Sequence, residues 1–499
     1  MQSPTPFEEK ISFEYSKSDV CGFDIDPKDL EYKSLKTGLP LRNGCGLPNM
    51  PEPMVVKHFT RLSTQNYSID TNFYPLGSCT MKYNPKLNEK TARLQGFAGL
   101  HPMQSEKTTQ GALELIYVLK NWLCELTGMG DATLNPAAGA HGEFAGVMCI
   151  KEYFQSRDET QRKYFIVPDS AHGTNPSTAS MCGFSILPVP VTAEGFTNID
   201  SVAEMIAKYG NEIAGIMLTN PSTCGLFEKN VKKIADMVHS VGGLFYCDGA
   251  NFNAIVGKIK PAEFGADVMH FNLHKTFSTP HGGGGPGCGP IAVSKALAPF
   301  LPTPCVVKNS DGTFKLLTEN QTSFGHLKGF YGQFLVMVRA LTYMVSVGID
   351  GLKKVAEDSV LSANYIYYKL KDHYHAPYFN VQTNPYCMHE CLITDKIQKY
   401  SHGITTTNVA KVLLENGMHA MTTYFPLVVQ GAMLIEPTET ESKETLDKFI
   451  DVMLDIAKNA ELKTQDFLNA PRNTFRSKCD DVLAAKMPVL SYQALAKQG

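Results

Sequence analysis

Asn272-Leu273-His274-Lys275-Thr276-Phe277-Ser278-Thr279-Pro280-His281, followed by the glycines Gly282, Gly283, Gly284 and Gly285, is the stretch from which the rest of the chain is read. Just upstream, Val268, Met269 and Phe271 form an apolar run of strand character, and just downstream the backbone carries almost no side chains. A single lysine therefore stands where a buried strand ends, beside a loop that can approach a ligand closely. Open α/β sheets bind ligands at such strand ends, and one amine delivered into a crevice suits a Schiff-base lysine. The plain alternative is a surface lysine ahead of a flexible loop. The flanking histidines, the glycine run and the other strand ends weigh against it.

Working outward, residues 164–272 alternate short apolar runs with helical stretches, the pattern of a doubly wound sheet. Strands are expected at 164–167, 184–189, 213–218, 244–247 and 268–271, with an amphipathic helix over 230–241 carrying Ile234, Val238 and Val241 on one stripe. A polar cluster follows four of these strands: Ser170-Ala171-His172-Gly173-Thr174-Asn175, Asn220-Pro221-Ser222-Thr223, Asp248-Gly249-Ala250 and His274-Lys275. Polar clusters on several strand ends argue for one shared site more strongly than any one of them alone. Earlier in the chain, 110–127 reads as a helix with Leu115, Leu119, Leu123 and Leu126 on one face and Gly128 placed to end it. Then Asn135-Pro136-Ala137-Ala138-Gly139-Ala140-His141-Gly142 leads into a helical pattern over 143–153. A small-residue turn opening a helix presents free N–H groups at a positive dipole end, which suits a phosphate.

These clusters match what pyridoxal phosphate requires. Lys275 supplies the amine, and Asp248, ending a buried strand, supplies the anion that keeps the ring nitrogen protonated. Ala250 is small enough for the ring to pack on, His141 is placed to stack on the opposite ring face, and Gly139 and Ala140 take the phosphate. His274, beside the lysine, joins the catalytic candidates, and Thr223 the cofactor-binding ones. Polar groups for the substrate side are His172 and Asn175, with Ser78 and Cys79 from the turn-rich stretch Tyr74-Pro75-Leu76-Gly77-Ser78-Cys79-Thr80-Met81-Lys82-Tyr83-Asn84-Pro85. A nucleotide loop at 282–287 is excluded, because no Gly-Lys-Ser/Thr follows it. Cys387-Met388-His389-Glu390-Cys391 looks like half a zinc site, but no second ligand pair stands out. It is read as part of a packed strand at 388–394, with no metal expected.

Length and composition set the frame. At 499 residues, 43% hydrophobic and 19% charged, the chain is of globular type and too long for one small core. With 46 basic against 49 acidic residues, the net charge of -3 offers nothing to nucleic acid. No apolar run reaches the roughly 18 residues of a membrane span, and Met1-Gln2-Ser3-Pro4 does not open a signal peptide. Thirteen scattered cysteines read as reduced thiols, so the expected location is cytoplasmic. Residues 1–95 read as an extended arm, 96–335 as a large cofactor-binding domain, 336–460 as a small C-terminal domain and 461–499 as a polar tail. Within the small domain, helices are expected over 334–347, 351–370 and 442–457, with strands at 388–394 and 433–436.

The stretches 74–85, 136–143, 170–176, 221–228, 248–254, 272–287 and 436–442 together resemble the P-protein of the glycine cleavage system in its half-length form, subunit 2. That resemblance implies a type I pyridoxal-phosphate (aspartate aminotransferase-like) fold, α/β with a mostly parallel sheet and a smaller C-terminal α/β domain. It also implies Lys275 as the Schiff-base lysine, Asp248 as the ring-nitrogen partner and His141 at the ring. The implied reaction is decarboxylation of glycine, with the aminomethyl group passed to the lipoyl arm of the H-protein. The implied assembly is a heterotetramer with a companion subunit 1. His326, Met421 and the 471–478 segment depart from the family's pattern. The alternative is another pyridoxal-phosphate reaction on a small amino acid, of aminotransferase or retro-aldol type. An aminotransferase clamps its substrate's carboxylate with an arginine placed after its lysine; none is assigned here, although Arg339 is available.

Overall fold

The computed structural model describes residues 8–17, 46–282, 287–380, 384–474, 476–492 and 494. Gly283, Gly284 and Gly285 of the glycine run lie outside these residues, as do parts of the stretch read as an arm. Seven strands form the main sheet: β1 (Asp131–Thr133), β2 (Tyr164–Pro168), β3 (Ser185–Val189), β4 (Ile213–Thr219), β5 (Leu244–Gly249), β6 (Val268–Phe271) and β7 (Ile291–Val293). Their order is β1-β7-β6-β5-β4-β2-β3. β6, β5, β4, β2 and β3 run parallel, and β7 lies antiparallel between β6 and β1. The expected mostly parallel sheet is what the chain forms.

Both faces of that sheet are covered, which explains why its strands read as continuous apolar runs. Side chains alternate between two cores. Ile216 and Leu218 of β4, Phe245 and Cys247 of β5, and Met269 and Phe271 of β6 enter one; Met217, Tyr246 and Val268 enter the other. The first core is closed by the Gln110–Thr127 helix, whose Leu119 and Leu123 are fully buried and which ends in left-handed Gly128. The second is closed by the Gly139–Gln155 helix, which starts four residues before the expected 143 because Gly139, Ala140 and Gly142 join its first turn.

The small domain has its own core and a three-stranded antiparallel sheet of β10 (Cys391–Thr394), β11 (Thr422–Thr423) and β12 (Ala432–Ile435); before it in the chain comes a hairpin of β8 (Cys305–Lys308) and β9 (Phe314–Leu317). The strand expected at 388–394 begins only at Cys391, so His389 and Glu390 sit in the connection before it. The two helices expected at 334–347 and 351–370 form one element, Phe334–Leu370, broken by left-handed Gly348 (φ 65°). By length and composition this element could cross a membrane. Here it serves as a core helix: Met337 and Val338 are buried in the large domain, and Ala363 and Ile366 in the small one.

The stretch read as an extended arm carries a 13-residue helix, Glu52–Thr64, which period counting did not find. Beyond it the chain is stitched to the small domain: Phe73 enters the small-domain core, Leu76 bridges to Ile435, and the Glu436 amide donates to the Pro75 carbonyl (3.1 Å). This contact carries residues 78–82 over the end of the main sheet.

Candidate active site

Sheet register does the first part of the assembly. Thr219, Asp248 and His270 lie side by side on β4, β5 and β6, each next to a strand's C-terminal end. Lys275 follows β6 within the short helical turn Leu273–Thr276, and its Nζ donates to the Ser78 carbonyl at 2.8 Å. A cavity of about 140 Å³ opens here. Of the residues singled out in the sequence, Lys275, Asp248, Ala250, Gly139, Ala140, Thr223, His172 and Ser78 all line it.

Four others do not line the cavity. His141 turns away, its Nδ1 accepting the Ala137 N–H (3.2 Å), so the ring-stacking place expected for it falls to His172, which does face the cavity. His274 lies behind the lysine, edge-on to His281 with its Nδ1 toward the Cys288 N–H (3.4 Å). Burial, with His281 and Lys275 nearby, pushes its imidazole down to about 3, so it stays neutral and is no proton carrier near neutrality. Cys79 is held by its backbone, its N–H on Glu436 (3.2 Å) and its carbonyl on His281 (2.9 Å), while burial raises its thiol to about 11. Asn175, expected on the substrate side, is buried beneath the site and donates to both Asp248 Oδ2 and Glu143 Oε2 at 3.0 Å.

Asp248 is held from three sides. It accepts the Ala250 N–H at 2.9 Å and the Asn175 amide at 3.0 Å, and its Oδ1 is 3.4 Å from His270 Nε2. Burial pushes its carboxyl up, but His270, these donors and the Lys275 amine outweigh burial and hold it below the ordinary carboxylate range. His270 is kept neutral by its own burial and shares a 2.8 Å hydrogen bond between its Nδ1 and the Tyr246 hydroxyl.

Sequence reading passed over several buried groups. Glu143 accepts from Thr174 (2.6 Å) and Asn175, and burial plus the nearby Asp248 charge raise its carboxyl to about 7. Lys82, also buried, bonds Asn253 Oδ1 (2.9 Å), the Thr276 carbonyl (2.8 Å) and Glu439 (2.7 Å), joining the arm, the lysine turn and the small domain. Glu390 and Glu436 of the small domain hold the loop at Ser78. A lone Glu in a helical pattern, or a Lys in a turn-rich stretch, gives no periodic signal that it will be buried.

These residues fit pyridoxal phosphate. A ring placed between His172 and Ala250 would set its nitrogen toward Asp248 and its aldehyde carbon toward Lys275. The phosphate would meet the N-terminus of the 17-residue Gly139–Gln155 helix. A Cβ at Gly139 would fall 2.5 Å from Asn272 Oδ1, so only glycine lets the helix start this close to the lysine segment.

Such a donor set, on a sheet of this order, defines the class: pyridoxal-phosphate-dependent enzymes of the type I fold. The family model for aminotransferase class-V matches residues 152–312, and that for the glycine dehydrogenase C-terminal domain matches 355–478. In Caldanaerobacter subterraneus subsp. tengcongensis, the probable glycine dehydrogenase (decarboxylating) subunit 2 is 49% identical over 486 residues, covering 97% of this chain and 98% of that protein. The protein of the same name in Listeria innocua serovar 6a is 50% identical over 448 residues, 90% of each chain. The chain belongs to the family of glycine dehydrogenase (decarboxylating) subunit 2. Among solved structures, a glycine decarboxylase (P-protein) in inhibitor-bound form superposes with a TM-score of 0.68 at 20% identity, covering 86% of this chain and 93% of its own. The Oryza sativa TDC with PLP and tryptamine superposes with a TM-score of 0.62 at 12% identity, covering 89% and 93%. At these identities the likeness concerns the fold.

Proposed function

We propose that this chain supplies the lysine-bearing site of a glycine decarboxylase, which releases glycine's carboxylate as CO2 and passes the aminomethyl group to the lipoyl arm of a partner H-protein. The observation that carries this reading is the setting of Arg339. Its guanidinium is held by both oxygens of Glu89 (Nε–Oε1 2.7 Å, Nη2–Oε2 2.9 Å), and among the described residues no arginine lines the cavity. An aminotransferase clamps its substrate's carboxylate with such a group. A site that must let the carboxylate leave does better without that clamp, because ground-state binding of the departing group does not lower the barrier.

Bound pyridoxal phosphate supplies an electron sink for the pair left behind when CO2 departs. Everything else falls to the chain. Asp248 holds a proton at the ring nitrogen, and Asn175 and the Ala250 N–H hold Asp248 in place. His172, kept neutral by burial, packs on one ring face without adding charge. Lys275 would hold the cofactor through its amine, which the Ser78 carbonyl orients at 2.8 Å. Ser78 of the 74–82 segment forms the cavity wall beside Lys275.

The relatives are called subunit 2, and we take a companion subunit to complete this chain, in a complex with two copies of each. All eleven described cysteines are free, which supports a reducing, cytoplasmic setting. Exchange of labelled bicarbonate into glycine, measured on the chain co-expressed with its companion and supplied with lipoylated H-protein, tests the reading. We expect exchange that depends on the H-protein. Formation of glyoxylate with no exchange would favour the aminotransferase alternative instead.

A further inference from the structure

Lys275 is held by the arm loop, and the loop is held by two acids that none of the roles above uses. Glu436 lies just past β12, Glu390 just before β10, and both are fully buried. Glu436 accepts the Thr80 N–H (2.8 Å), the Thr80 hydroxyl (2.5 Å) and the Cys79 N–H (3.2 Å), while Glu390 accepts the Ser78 N–H. Between these bonds the backbone turns left-handed at two residues other than glycine, Ser78 (φ 63°) and Thr80 (φ 48°). That conformation is costly for L-residues and persists only where its surroundings enforce it. The enforced turn points the Ser78 carbonyl at Lys275 Nζ, 2.8 Å away.

We propose that Glu436 and Glu390 are an acid pair sharing one proton, which positions Lys275 through the Ser78–Thr80 loop. The proposal rests on Lys275 being the cofactor lysine. Two carboxylates buried together beside a single ammonium do not both ionise. Glu436, with three donors aimed at it, is the anion. Glu390, with one backbone donor, carries the proton, and one oxygen of each acid lies within 4.8 Å of the other. The Lys275 amine in turn favours the charged form of Glu436, and the Ser78 carbonyl meets that amine at 2.8 Å. The other titratable groups facing the pair and that nitrogen are Asp248 and His270 on the sheet, His172 at the cavity, His274 and His281 in the lysine's own segment, Cys79 in the loop, and buried His389, whose Nε2 is 3.8 Å from Glu436 Oε1; burial pushes all five imidazoles down and the Cys79 thiol up.

The pair predicts an asymmetry. Glutamine mimics a neutral carboxylic acid, so Glu390→Gln should leave the pH midpoint of the bound cofactor's visible band where the wild type has it. Glu436→Gln removes the anion and slackens the loop, and should lower that midpoint by about one pH unit or more. Thr80→Val removes one donor to Glu436 with little change of shape, and should lower it by less. Titration of the holoenzyme, co-expressed with its companion, gives the midpoints, and calorimetry gives each variant's melting temperature. A merely structural role would lower melting temperatures and leave the midpoints alone, which overturns the proposal; so does an equal shift in Glu390→Gln and Glu436→Gln. Should Glu436→Gln not fold, an unshifted midpoint in Thr80→Val overturns it as well. Lys275→Ala separates the two levels. If its band persists, the lysine assignment fails and the pair's role with it. If its band is lost while the acid and loop variants titrate as wild type, only the pair's role fails.

Discussion

Asp248→Asn changes charge at nearly constant shape, and the hydrogen bonds around this side chain set its cost. The carboxylate uses Oδ1 for the Ala250 N–H and Oδ2 for the Asn175 amide. An asparagine has one oxygen and one NH2, so it can satisfy only one of these donors and must face the other donor to donor. Asn175 could turn to offer its own Oδ1, which has no partner among the described residues, but only by giving up its 3.0 Å bond to Glu143. Leaving one buried donor unpaired costs about 1–3 kcal/mol, which a domain of this size tolerates. The functional loss is larger, because no anion remains to hold the ring nitrogen's proton. Turnover should fall about a hundredfold or more, ~2.7 kcal/mol or above in activation free energy. Cofactor occupancy read from absorbance, together with CO2 release from glycine in the presence of H-protein, separates binding from chemistry. A variant with full occupancy and near wild-type turnover would refute the role given to Asp248.

The buried groups carry three more expected outcomes. Burial first, and the Asp248 charge second, raise Glu143 from 4.5 to about 7, so the folded chain keeps a proton that the unfolded chain loses. Its contribution to stability is therefore present below about pH 4.5 and lost as pH rises through 7, about 3 kcal/mol in all; Glu143→Gln should flatten that fall when melting temperatures at about pH 5 and pH 8 are compared. Lys82→Met leaves Glu439 buried without its cation and should cost about 3–5 kcal/mol by urea unfolding, part of it recovered by adding Glu439→Gln. Arg339→Lys loses the two-point grip on Glu89 and should cost about 1 kcal/mol of stability while leaving the KM for glycine unchanged. A raised KM would return the carboxylate clamp to consideration.

Legibility followed burial on two faces. β4 reads as a continuous apolar run because Ile216 and Met217 enter different cores, and the 110–127 helix was readable to the residue because Leu115, Leu119 and Leu123 repeat at helical spacing and Gly128 stops it. The strand-end positions of Lys275, Asp248 and Ala250 were legible for the same reason: they are polar or small residues placed where apolar runs end. His141 was misplaced because the helix begins at Gly139. That start puts residue 141 inside the first turn, facing Ala137, and leaves the cavity wall to His172 from the next strand's loop. Asn175 was assigned to the wrong side because nothing local says that the Thr174–Met181 helix turns it inward to Asp248. Glu390 and Glu436 lie 46 positions apart and both meet a loop more than 300 residues earlier. No spacing rule spans such a distance.

What gathers at Lys275 therefore comes from three parts of the chain that the sheet alone would not unite. β5 and β6 set the amine and its counter-carboxylate in register, the helix at Gly139 brings a phosphate-binding end within reach, and the 74–82 segment lies across both. That segment has little core of its own. It is fixed to the large domain by Lys82 against Asn253 and Thr276 and by His281 at the Cys79 carbonyl, and to the small domain by Glu439, Glu390 and Glu436, so it joins the two. Asp248, by contrast, has its partners Asn175, Ala250 and His270 all in the large domain. The ring-nitrogen end of the site is thus built within the large domain alone, and the lysine end where the two domains meet.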